Sequence, residues 1–107
     1  MTIQTQTVSR LQSLLDLYRR GYQDRIVDQT VGKLISLEIK QCYAELQRLA
    51  ARLAEYERQY NMSSVDFYRR FRAGELGDDM DFMEWSVFCD MHQATQKRLE
   101  DFLKQAP

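Results

Sequence analysis

Apolar residues recur at helical spacing along nearly the whole chain, and nowhere do they alternate with polar residues as a half-buried strand requires. Residues 1–7 are polar and β-branched and read as a flexible N-terminus. Val8, Leu11, Leu14, Leu15 and Tyr18 then predict a short amphipathic helix over 8–20. Gly21 ends it just after the cations Arg19 and Arg20. Asp24 reads as the cap of a long helix over 24–60, with Gly32 its one interior breaker. Within it Ile35, Ile39, Cys42, Leu46, Leu49, Leu53, Tyr56 and Tyr60 step alternately by four and three. That 3.5-residue repeat is the seam of a coiled coil or a long bundle helix.

Two further helices have legible ends. Ser63 caps a helix over 64–73, Met62 and Phe67 are placed to staple its start, and Gly74 stops it after Arg69, Arg70 and Arg72. After the connector "ELGDD", Asp78 or Asp79 caps a last helix over 79–104, with Asp81 and Glu84 in its electropositive first turn. Phe82, Trp85, Phe88, His92, Thr95, Leu99 and Phe102 form its stripe, with Val87 and Met91 beside it. This bulky face suits the alanine-rich long helix. The fold class expected is therefore all-α: a helical bundle of about four helices, built on one coiled-coil-like helix, in a single domain spanning 1–107.

As one rod, residues 25–60 would run about 54 Å. A compact chain of this size has a radius of gyration of about 13 Å. The seam thus looks too long for its own chain to shield, so its eight residues are the expected interface of a homodimer. Of the flanking positions, only Arg52 with Glu57 would form the ion pair of a parallel dimer, which favours a bundle or an antiparallel pairing.

Composition narrows the function classes. The chain has 107 residues with 15 basic and 16 acidic side chains, so its net charge of −1 offers no field for nucleic acid or anionic lipid. No apolar run approaches a membrane span, and two cysteines without a secretory signal point to the reducing cytoplasm. Three constellations could still carry chemistry. Cys89 and His92 share a helical face, but without a second histidine they read as a buried thiol and a core histidine. Asp78, Asp79, Asp81 and Glu84 lack calcium-loop spacing and serve as helix-terminal charges. The cations Arg19, Arg20, Arg69, Arg70 and Arg72 could touch phosphate, yet no helix-turn-helix or ribbon pattern accompanies them. No nucleophile sits with a base and an orienting group, and no glycine-rich phosphate loop is present. A non-enzymatic protein is expected, with no cofactor and no metal site. Nucleic-acid binding through the arginines and metal binding at Asp78, Asp79, Asp81, Cys89 or His92 stand as the alternatives.

The segment "YNMSSVDFYRRFRAGELGDDMDFMEWSVFCDMHQ" resembles a family of small bacterial and cyanobacterial helical proteins. Their pattern is of the type Y-G-M-S-S-x-x-F-x-x-x-F-x-x-G-E-L-G-D-D-x-D-x-x-E-W, and "RIVDQTVGKLISLE" upstream also fits. Ser63, Ser64, Phe67, Phe71, Gly74, Glu75, Leu76, Gly77, Asp78, Asp79, Asp81, Glu84 and Trp85 match, while Asn61 stands where the pattern has glycine. The resemblance implies an antitoxin-like, non-enzymatic partner in a two-gene locus of toxin–antitoxin type, binding a protein encoded nearby. It brings no functional site.

Overall fold

The computed structural model describes residues 2–105, which form four helices and no strand: α1 (Ile3–Arg19), α2 (Arg25–Tyr60), α3 (Ser64–Arg72) and α4 (Met80–Gln105). The all-α expectation holds. α2 is continuous through Gly32, because a single glycine costs a helix interior only about 1 kcal/mol. Contacts divide the chain into two units, one up to Leu34 and one from Ile35 onward, with α2 contributing to both.

In the first unit, α1 begins at Ile3, five residues before its apolar stripe. The reason is a cap that periodicity does not register: the Thr2 hydroxyl accepts from the Thr5 N–H at 3.2 Å. Residues 3–7 are therefore helical and not a flexible lead. At the other end, Tyr22 N–H donates to Leu17 O and Gly21 N–H to Tyr18 O, a Schellman closure that puts Gly21 at φ 98°. Asp24 caps α2, accepting from the N–H groups of Ile26 and Val27 at 2.7 and 3.2 Å. Those bonds, led by that from Val27, hold its carboxyl below the ordinary carboxylate range. The Tyr18 hydroxyl donates to Asp28 Oδ1 at 2.6 Å and accepts from Asp24 N–H, tying α1 to the head of α2. No residue from 2 to 34 is buried.

The second unit holds the core. α2 and α4 run antiparallel: Tyr60 meets Asp81 and Phe82, Tyr56 meets Glu84 and Trp85, and the Arg52 guanidinium lies 5.2 Å from the Phe88 ring. Continuing that register places Leu49, Leu46, Cys42 and Ile39 level with His92, Thr95, Leu99 and Phe102. Cys42, Leu49, Thr95 and Leu99 are all buried. α3 closes the other end, delivering Phe67 against Trp85 and Cys89. It starts at its Ser63 cap, which accepts from Asp66 N–H at 3.1 Å, and Met62 packs into the same cluster as Phe67, as a staple should. α2 ends on Asn61 at φ 49°, with Met62 N–H reaching Glu57 O. Asparagine is the commonest substitute for glycine in that conformation, so Asn61 leaves the helix end intact.

Most of the seam consequently has cover within the chain. Cys42 and Leu49 are buried, and Ile35, Ile39, Leu46, Leu53, Tyr56 and Tyr60 are half-buried, with the last three packed against the aromatic core. The antiparallel partner that the seam requires is α4. The Glu57 carboxylate accepts from the Ser64 N–H at 2.8 Å within the chain.

Candidate functional site

Of the residues singled out from sequence, Asp81, Glu84, Trp85 and Cys89 gather where α2, α3 and α4 of the second unit meet, while Arg19 and Arg20 stand at the end of α1 in the first unit. Trp85 is fully buried at their centre. Its ring stacks on Phe67 at 3.8 Å and 4°, and on Tyr56 at 5.5 Å and 13°, while its indole N–H donates to Ser64 Oγ at 3.0 Å. A tryptophan in such a place needs both a stacking partner and an acceptor, and α3 supplies the two from one helical turn.

Around this stack, tyrosines donate to carboxylates across helices. Tyr56 donates to Glu84 at 2.6 Å, Tyr60 to Asp81, and Tyr68 to Asp90. The Tyr60 phenol is pushed up to about 12, first by the bond to Asp81 and then by burial. That of Tyr56 is pushed up to about 12 by burial first and the Glu84 bond second. The acids Asp81 and Glu84 are therefore clamps between α4 and α2 as well as first-turn charges. Asp79 is the capping residue, accepting from Asp81 N–H at 2.9 Å. Sequence reasoning assigned these acids to the helix terminus alone. The available signal was two tyrosines at i, i+4 facing two acids at i, i+3, which becomes legible only once the antiparallel register is known.

These clamps carry a pH dependence. Both phenols titrate higher in the fold than the 10.0 of a free tyrosine, so the folded chain binds more protons than the unfolded one in between. Their stabilisation is complete below about 10 and is lost as pH rises toward about 12. The urea midpoint should accordingly fall across that window, and a Tyr56→Phe/Tyr60→Phe double substitution should flatten the decline. Parallel curves for the two proteins would remove the clamps from the stability balance.

Beside the stack lies a shallow open cleft of about 330 Å³, lined by Leu53, Ser64, Tyr68, Arg69, Cys89 and His92 among others. Cys89 is 5% exposed, and burial pushes its thiol up to about 11, so at neutral pH it is a protonated packing group and not a nucleophile. Cys42 is likewise buried, and both cysteines are free. Among the described residues no three His, Cys, Asp or Glu side chains converge as metal ligands, so Cys89 and His92 are not joined by the acids at 78–84.

Four of the five arginines singled out are engaged locally. Arg69 pairs with Asp66 at 2.6 Å and Arg70 with Glu75 at 3.6 Å, while Arg72 lies 5.8 Å from the Tyr68 ring. Arg20 donates to Asp16 O within its own helix. No helix among the described residues is long and apolar enough to cross a membrane. No known family, curated protein or solved structure matches the chain.

Proposed function

We propose that this chain is a non-enzymatic helical interaction module that acts as a homodimer, with the apolar side of residues 8–34 as its self-association surface. One observation carries the reading: none of the described residues 2–34 is buried, yet Val8, Leu11 and Leu15 on α1 and Val31 and Leu34 on α2 are apolar and exposed. Ordering each residue costs about 1–2 kcal/mol, and burial of a large apolar side chain returns about 1.5–3 kcal/mol only when water is removed from it. Cover from a second copy offsets that cost. The surplus apolar surface thus lies N-terminal to the seam that periodicity emphasised.

The GELGDD resemblance adds a second partner, a small toxin-like protein encoded beside this chain, which the dimer would mask. Two free buried thiols support the cytoplasm as its compartment.

Solution mass tests the reading. At micromolar concentration the wild type should have twice the monomer mass, and Leu11→Glu/Leu15→Glu should return it to the monomer with the second unit still folded. A wild type that runs as a monomer, with its α1 amides protected from exchange, would overturn it. Co-expression with the neighbouring gene product tests the second partner, whose failure to co-purify would leave only the homodimer.

A further inference from the structure

α4 is apolar on two opposite sides. Its inner side carries Trp85, Cys89, Thr95 and Leu99, all buried. On the far side Met83, Val87 and Met91 recur at i, i+4 and i+8 and are 53%, 53% and 41% exposed, with Met80 at the head of the helix more exposed still. A surface helix ordinarily presents polar residues there, and a helix that is apolar all round has cover all round. Three of the chain's five methionines stand on this one stripe. Unbranched, polarizable thioethers adapt to irregular apolar partners and are favoured on surfaces that accept helices.

Charge specifies the occupant. Between Arg72 and Lys97 the chain has no lysine or arginine, while Glu75, Asp78, Asp79, Asp81, Glu84 and Asp90 are all acidic. At 100° per residue, Glu84 and Asp90 fall on either side of the methionine stripe, and both are exposed. Of the cations beside these acids, Arg70 faces Glu75 and Arg52 faces Glu84. A second copy docked face to face over Met80–Met91 would bring acid against acid along that segment, and an anionic lipid surface would be repelled in the same way.

We propose that the Met80–Met91 face of α4 is a docking surface for a basic amphipathic helix of a partner protein. Apolar anchors of that helix lie between Met83, Val87 and Met91, and its lysines or arginines reach Glu84 and Asp90. From Met80 to Met91 the stripe is about 16 Å long, which matches about three turns of the incoming helix. The proposal rests on the reading of the chain as an interaction module, but it uses α4 and not residues 8–34.

The test is a titration of the full chain with a synthetic leucine–lysine amphipathic helix, followed by the methyl resonances of the methionines. The leucine–glutamate peptide of the same spacing is the control. Saturable binding should shift the Met80, Met83 and Met91 methyls and leave that of Met62, which packs in the core, unmoved. Affinity should fall with added salt and by about tenfold or more in Met83→Gln/Met91→Gln, with an unchanged thermal melt. Equal binding of the acidic peptide, unchanged affinity in the variant, or no saturation would each overturn the proposal. So would a dimer mass that this variant halves, because a second copy would then be the occupant. If the peptide fails while the wild type remains a dimer that Leu11→Glu/Leu15→Glu dissociates, the docking surface alone falls.

Discussion

Replacing Trp85 by alanine should cost the second unit about 3–5 kcal/mol, the range for truncating a large buried aromatic. Such a loss is a large part of the about 5–15 kcal/mol that a whole domain possesses. The size follows from what the ring does at once. It is fully buried, it stacks on both Phe67 and Tyr56, and it is the donor to Ser64 Oγ. Each aromatic pair adds about 0.5–1.5 kcal/mol beyond simple burial. The cavity would open at the junction of three helices, where α3 is only nine residues long and cannot stay helical without its partners. Denaturant melts followed by far-ultraviolet circular dichroism measure the effect, since the substitution removes the only tryptophan. Trp85→Phe should fall between the two proteins, because it keeps the stacking and loses the indole donor. If alanine cost under about 1 kcal/mol, the stack would be ornament and the core would lie between Cys42 and Leu99 instead.

Much of this architecture was legible because helix ends are local chemistry. The start of α3 at Ser63 and its stop at Gly74 depend on residues within one turn of the end, and those residues can be read directly. Gly74 N–H to Phe71 O and Glu75 N–H to Arg70 O close that helix as the glycine implied. The start of α1 was less legible for the opposite reason. "IQTQT" has no apolar rhythm, so only the Thr2 cap and the hydroxyl of Thr7 on Ile3 O betray that it is helical.

Long-range cover was legible only in part: the bulky face of α4 suited the alanine-rich long helix, but nothing fixed the register or how far along the seam it reaches. The repeat from Ile35 to Tyr60 states that a stripe must be covered, but periodicity is blind to which helix covers it. A length comparison pointed to a second chain. α4, at 26 residues, is long enough to run back along most of the seam. The tyrosine–carboxylate clamps were hidden for the same reason, since Tyr56 and Glu84 are 28 positions apart in sequence. What sequence did supply without being asked was the second apolar side of α4, with Val87 and Met91 standing outside the stripe that packs.

Leu49→Glu should therefore unfold the second unit and not dissociate a dimer. Leu49 is 4% exposed and lies on the side of α2 that faces α4, with buried Cys42 two turns before it. A carboxylate there has no cation opposite it, because the level stretch of α4 offers His92 and Thr95 and no lysine or arginine. An uncompensated buried charge costs about 3–5 kcal/mol, and the leucine's own burial is lost with it. Burial raises the pKa of the introduced carboxyl, so the deficit against wild type should narrow as pH falls and the group becomes neutral. Leu11→Glu/Leu15→Glu places the same charge on exposed positions and should leave the melt of the second unit where it was. The pair of variants separates two roles that the apolar rhythm alone cannot distinguish. A Leu49→Glu protein that melts like wild type but has half its mass would return the seam to an interface between chains, and α4 would then have to be covered by something else.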